Sequence, residues 1–185
     1  MASVVSLPDG GLSWSGNWST HISTIHTRIN DSNDATLVYN TRQNQDFTLS
    51  LDMSATDVGT MIAMQQTLRF KAGGKGTATC TVTVNDGSST YINAEAFSAG
   101  TTSFANYNGA AHNITSIGGG QTQANNLQMV LTTTGGTQNF IAEYALVVTY
   151  NVAGYGHDVM SVASANISSV IDVTSANIDK IIGVD

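Results

Sequence analysis

Alternation of apolar and polar side chains is the clearest signal in this chain, and its period of two is that of a strand. Gly76 to Val84 sets Ala78, Cys80, Val82 and Val84 on one face and Thr77, Thr79, Thr81 and Thr83 on the other. Asp46 to Asp52 does the same with Phe47, Leu49 and Leu51. Asn85-Asp86-Gly87 supplies the tight turn of a hairpin. Ser89 to Phe97 is then predicted to return with Ile92, Ala94 and Ala96 toward the core. Further strands are predicted over His21–Thr27, Thr36–Asn40, Met61–Phe70 and Leu127–Thr133, and Gly135-Gly136 is read as a turn before a long strand, Gln138–Val152. In that strand Phe140, Ala142, Tyr144, Leu146, Val148 and Tyr150 face one way and Ile141, Ala145 and Val147 the other, which predicts cover on both sides. Met61–Phe70 also carries a helical stripe (Met61, Met64, Gln65, Leu68), but strands on either side favour a strand here too. Residues 98–126 hold one short apolar segment, His112 to Ile117, and the Gly118-Gly119-Gly120 break. Short turns, one proline and no helix expected before residue 155 describe an all-β, two-sheet sandwich of jelly-roll type.

The pattern changes at the C-terminus. Beyond a hinge at Gly154-Tyr155-Gly156-His157, an 11-residue unit is written twice: V-A-S-A-N-I-S-S-V-I-D from Val162, then V-T-S-A-N-I-D-K-I-I-G from Val173. Its aliphatics are Val162, Ile167, Val170, Ile171, Val173, Ile178, Ile181, Ile182 and Val184. Burying so few side chains does not offset the entropy of ordering the segment, so the tail needs another surface to lie on. A period of 11 fits three helical turns, while Val, Ile, Ser, Thr and Asn fit a strand-and-turn winding equally well. The expected organisation is an arm over 1–20, a sandwich over 21–152, and a docking or oligomerisation segment over 153–185.

Composition sharpens the fold and thins the list of functions. Charged residues are 10% of the chain, far below the roughly 25% of ordinary domains, so Ser, Thr, Asn, Gln and Gly carry solubility, as strand surfaces allow. A net charge of −7 with six basic residues argues against a nucleic-acid binder, which needs a basic stripe. A single cysteine excludes an internal disulfide framework and a cysteine-rich zinc site. The N-terminus has no secretory pattern and no apolar run approaches the roughly 18 residues of a membrane span, so synthesis in a cytoplasm without membrane association is expected.

Motifs for chemistry are sparse. Lys71-Ala72-Gly73-Gly74-Lys75-Gly76-Thr77 lacks the order of a phosphate loop and is read as a strand connector. Asp31-Ser32-Asn33-Asp34 spaces oxygens as a calcium loop does but lacks its later glycine and glutamate, leaving a polar turn. His21, His26, His112 and His157 show no ligand spacing, and no cofactor is expected. Glu95 and Glu143, the only glutamates, are the one conceivable acid/base pair, and as strand residues they are more simply outward or paired. The chain is therefore read as a non-enzyme. Trp14 and Trp18 either pin the arm to a sheet or, with Tyr107 and the neighbouring Asn106, Asn108 and Asn113, stack on sugar rings.

The block Ser175-Ala176-Asn177-Ile178-Asp179-Lys180-Ile181-Ile182-Gly183-Val184 resembles the short Asn-Ile-x-Lys-Val/Ile-x-Gly-Val repeats at the ends of tailed-bacteriophage structural proteins. The first copy departs from it, with Ser169 for the lysine and Asp172 for the glycine. The Thr/Ser/Asn/Gly-rich region before it is similar in texture to small jelly-roll decoration, head-fibre, collar and fibre-tip proteins. What the resemblance implies is a structural role on a virion, partners among capsid or tail subunits, and homotrimeric assembly. The alternative is a carbohydrate-binding, receptor-reading sandwich of a tail fibre or lectin.

Overall fold

The computed structural model describes residues 1–19, 22–30, 33–40, 44–51, 53, 57–100, 102–136, 138–152, 169–170 and 173–174. Two antiparallel sheets face each other across one core. Sheet A has the order β1 (Ala2–Ser6), β11 (Asn139–Val152), β5 (Val58–Ala72), β8 (Ala105–Asn108); the short β3 (Val38–Tyr39) also pairs with β11, and β9 (His112–Asn113) with β5. Sheet B runs β2 (Pro8–Trp14), β4 (Asp46–Leu51), β10 (Gln128–Gly136), β6 (Ala78–Asn85), β7 (Thr90–Ala99). The all-β, jelly-roll-like sandwich expected from the alternation is the architecture observed. Residues 1–20 are more than an arm, because β1 and β2 supply an edge strand to each sheet.

The strongest alternations are kept. Ala78, Cys80, Val82 and Val84 are buried, as are Phe47, Leu49 and Leu51, and Leu127, Met129 and Leu131. Their sheets bring them together between the layers, where each fully buried Val, Leu, Ile, Met or Phe contributes about 1.5–3 kcal/mol. Asp86 closes the β6–β7 hairpin. Burial would raise its carboxyl, but hydrogen bonds from Ser89 N, Ser88 N, Ser88 Oγ and Tyr91 OH outweigh that and hold it down at about 2.

Bulges account for most departures from the sequence pattern, since one extra residue reverses which side chains point inward. The register between β11 and β5 shifts between Ile141 and Glu143, so Asn139 and Ile141 are buried before it and Ala142, Tyr144, Leu146 and Val148 after it. Phe140 therefore faces out, and Ala145 and Val147 are only half-buried, so β11 is covered on one side rather than two. Two further shifts, between Thr149 and Tyr150 and between Asn151 and Val152, bring Met61 and then Val58 into the core and leave Ile62 half-exposed. In β7, Ala94 sits at φ +46°, a left-handed conformation uncommon for alanine, and its N–H donates to Thr83 Oγ1 at 3.0 Å. Past this point Phe97 and Ala99 turn inward, while Ala94 and Ala96, expected in the core, are exposed.

Two helices were not anticipated. The strand predicted over His21–Thr27 is instead α1 (Ile22–Arg28), and α2 is Gln121–Ala124. The signal for α1 was present: Ile22, Ile25 and Ile29 recur at helical spacing, and two of them three apart cannot share a strand face. Ile25 and Ile29 are fully buried, and the helix packs on β2. Gly135 and Gly136 continue β10 after a bulge rather than turning.

Cys80 is buried, and desolvation pushes its thiol up from 9.0 to about 12. The native thiol is therefore expected to resist an aromatic disulfide reagent at pH 8 and to react at once in denaturant; rapid native labelling would refute its burial. A folded value above the unfolded one leaves this contribution intact below about pH 9. It is lost as pH climbs toward 12, so the melting temperature should fall over that range.

Candidate functional site

The outer face of sheet A is built by the residues that alternate with the core. β5 turns Gln65, Thr67, Arg69 and Lys71 outward, opposite the buried Met64, Gln66, Leu68, Phe70 and Ala72. In the strand register Arg69 lies between Glu143 on β11 and Asn106 on β8, Thr67 lies between Ala145 and Asn108, and Lys71 lies beside Phe140. Neighbouring positions are thus about 4.8 Å apart across strands and ~7 Å apart along them, a grid of donors and acceptors on a firm sheet.

The side chains on this grid are held in place. Arg69 grips Asp34 with two parallel bonds, Nε to Oδ1 at 2.7 Å and Nη2 to Oδ2 at 2.6 Å, and its Nη1 donates to Asn106 Oδ1 at 3.1 Å. That guanidinium holds the Asp34 carboxyl below the usual carboxylate range. Exposures of 27% and 43% make this a solvated pair with little to add to stability. Its effect is to set the plane of the guanidinium. Beside it, Lys71 Nζ sits 4.4 Å from the centre of the Phe104 ring and 5.6 Å from that of Phe140. Phe140 in turn stacks on Tyr39 at 5.0 Å and 19°. Gly73 is required here, because a Cβ on it would lie 2.2 Å from the Phe140 ring. Of the Lys71–Thr77 stretch, Lys71 and Ala72 end β5 and residues 73–77 connect it to β6, in line with the strand-connector reading.

A second polar constellation lies between the sheets. Past the bulge at Ala94, Glu95 reaches toward β5 and accepts from Gln66 Nε2 at 2.6 Å, from Ala110 N at 2.5 Å and from His112 Nε2 at 3.3 Å. Gln66 Oε1 accepts from the Tyr144 hydroxyl at 3.1 Å. Burial first, then the nearby Glu95 charge, push that hydroxyl up, so it remains a neutral donor. Gly109 passes so close to the Glu95 carboxylate that a Cβ would lie 2.2 Å from it. The cluster ties β7, β5, β11 and the β8–β9 connection together.

The residues singled out for chemistry do not assemble. Glu143 alternates with the buried Tyr144 and so stands on the outer face, whereas Glu95 approaches Gln66 on the inner side of the same sheet. No acid/base pair spans those two faces. Of the three aromatics considered for sugar stacking, Trp18 is buried, edge-on to Phe47 at 4.7 Å, with its indole N–H shared between Ser15 O and Asp46 O. It pins the arm, as the other reading of the pair had it. Trp14 is 39% exposed on the β2 edge, and Tyr107 packs on Phe70 at 4.8 Å at the β8 edge. Leu7 alone joins β1 to β2, which puts Trp14 on the β1 side of the sandwich, opposite the β7–β8 side that holds Tyr107. They form no common site.

No family model and no curated protein matches this sequence. Among solved structures, it is similar to the CBM36-1 domain of a multidomain xylanase from the hindgut metagenome of Trinervitermes trinervoides (16% identity, 85% of this chain and 100% of that one, TM-score 0.43). It is also similar to the C-terminal CBM6 of LamC, a marine laminarinase from Zobellia galactanivorans (8% identity, 80% and 100%, TM-score 0.48). A third is the CBM32 of AlyQ in complex with 4,5-unsaturated mannuronic acid (16% identity, 75% and 98%, TM-score 0.42). At these values the likeness is one of sandwich architecture and carries no function across.

In the C-terminal repeat, β12 (Ser169–Val170) and β13 (Val173–Thr174) pair antiparallel, Val170 opposite Val173, so these four described residues are strand. Val162, Ile167, Ile171, Ile178, Ile181, Ile182 and Val184 lie outside the described residues, and so does the docking role expected of them. Asp31 and Ser32 lie outside them too, while Asp34 is engaged by Arg69. Among the described residues no helix is long and apolar enough to cross a membrane. The sequence reading missed Arg69, Lys71, Tyr39, Phe104 and Phe140. The signal for Arg69 and Lys71 is the polar half of the β5 alternation, Gln65-x-Thr67-x-Arg69-x-Lys71.

Proposed function

We propose that this chain is a non-catalytic carbohydrate-binding sandwich that engages a neutral glycan on the outer face of sheet A. The observation that supports it is the Arg69–Asp34–Asn106 array beside the Phe104, Phe140 and Tyr39 rings. Sugars offer a ring face of C–H groups and a rim of hydroxyls, which aromatic side chains and planar, pre-set donors and acceptors meet at low entropic cost. Two cations, Arg69 and Lys71, and two carboxylates, Asp34 and Glu143, share the patch, so its charge balances and a neutral ligand suits it best. The separation of Glu95 from Glu143 supports binding without hydrolysis. The first probes are neutral xylan and laminarin oligosaccharides, with polyanionic alginate oligosaccharides as the charged control expected not to bind.

The resemblance of the C-terminal repeat to phage structural proteins adds a setting to this reading: the sandwich reads a surface glycan, and the repeat attaches it to a virion. Glycan-array binding by the intact chain, followed by titration calorimetry, tests the binding step. Phe104→Ala and Arg69→Ala are each expected to weaken binding at least tenfold, about 1.4 kcal/mol, with Trp14→Ala unchanged. Silence on the array, or binding that depends on Trp14 and not on Phe104 or Arg69, would overturn the assignment.

A further inference from the structure

On the glycan-binding reading of sheet A, on which this rests, we infer that the ligand is a linear β-1,4-linked chain lying along β5 and read over at least three rungs. From Lys71 back to Gln65 the outward residues of β5 form one row about 20 Å long, far more than one sugar ring needs. The carboxamides beside this row each have one end tied to the protein. Asn106 Oδ1 accepts from Arg69 Nη1 at 3.1 Å, and Asn108 Oδ1 accepts from Thr67 Oγ1 at 3.0 Å. Gln65 Nε2 donates to Gly109 O at 3.0 Å, and Gly109 is itself held, its N–H donating to Gln66 O at 2.8 Å. All three amides are exposed, and Asn106 Nδ2, Asn108 Nδ2 and Gln65 Oε1 have no other partner among the described residues. Two donors and an acceptor are thus set in fixed planes on successive rungs.

Apolar surface flanks the rungs on the other side. On β11, Ala145 lies opposite Thr67 and Val147 opposite Gln65, and Val5 of β1, 58% exposed, lies beyond Val147. Phe140 continues this strip beside Lys71. Hydrogen-bonding groups run along one side of β5 and carbon surface along the other. A ribbon of sugars matches both, with hydroxyls at its edge and C–H groups on its face. Equatorial 1,4 links keep such a ribbon extended, so that it meets successive rungs about 7 Å apart, whereas axial links curve a chain away from a sheet. Amides fixed before binding lose little side-chain freedom, so each further sugar within reach adds affinity. Phe104 and Phe140 then hold one end of the chain, and Asn108 and Gln65 the other.

Titration calorimetry with xylo- and cello-oligosaccharides of two to six sugars tests this on the intact chain. Affinity is expected to rise at least tenfold from disaccharide to tetrasaccharide and to level off by the hexasaccharide. Malto-oligosaccharides of equal length should bind at least tenfold more weakly. Asn108→Ala and Gln65→Ala should each lower tetrasaccharide affinity at least fivefold, and by more than they lower disaccharide affinity, whereas Phe104→Ala weakens both alike. Asn108→Asp keeps an acceptor for Thr67 but removes the donor, so it should lose the same gain with length while its thermal midpoint matches the parent. Equal affinity for disaccharide and hexasaccharide, or a gain with length that survives these replacements, would overturn the inference and leave the glycan reading standing. Binding confined to laminari- or malto-oligosaccharides would do the same. No binding at any length or linkage would overturn both.

Discussion

Replacing Gln66 by leucine is expected to destabilise the protein by about 2–4 kcal/mol, because it strands two polar groups at once. Glu95 loses its 2.6 Å donor, and the fully buried Tyr144 hydroxyl loses its acceptor. A carboxylate with a side-chain exposure of 13% cannot regain that bond from bulk water at little cost. Tyr144→Phe removes one member and should cost only about 1 kcal/mol, since Gln66 keeps its bond to Glu95. Urea unfolding followed by far-ultraviolet circular dichroism measures both. A Gln66→Leu midpoint within error of the parent would mean the network contributes nothing to folding. The loss should also appear as faster exchange at Gly109 and Ala110, whose backbone is held by Gln66 and Glu95.

Trp18→Ala is expected to cost about 3–5 kcal/mol, the range for deleting a large buried aromatic. The ring is 7% exposed, packs edge-on to Phe47, and its N–H serves carbonyls on either side of the junction between the arm and β4. Trp18→Phe should recover part of the loss, because it refills most of the volume but leaves Ser15 O and Asp46 O without that donor. Trp14→Ala, at a 39% exposed edge position, should cost far less. Equal effects at the two tryptophans would contradict the division of roles, and thermal denaturation of the three variants decides it.

Much of the architecture could be read along the chain. Where both faces of a strand obey one period without interruption, as in Ala78–Val84 and Asp46–Leu51, local pattern and final burial agree because nothing shifts the register. Cys80 as a small buried hydrophobe, the Asn85-Asp86-Gly87 turn and the two-sheet sandwich rest on such stretches. The pattern fails where a bulge inserts a residue. Ala94 and Ala96 look like core and are exposed, Phe140 looks like core and joins the outer patch, and Glu95 is carried inside. A bulge is a pairing event between two strands, so no periodicity within either strand reveals it.

The candidate patch divides along the same line. Gln65, Thr67, Arg69 and Lys71 alternate visibly in the sequence, and their outward direction follows once β5 is a strand. Asp34, Tyr39, Phe104, Asn106 and Phe140 join them from four other stretches, and only the antiparallel pairing of β5 with β8 and β11 brings them within reach. Composition and alternation were enough to decide that this is a Thr- and Asn-surfaced β sandwich with little charge. Which polar residues meet, and whether a tryptophan is wet or dry, depended on strand order and register. Those are set by contacts between residues far apart in the chain, whose energies no local window contains.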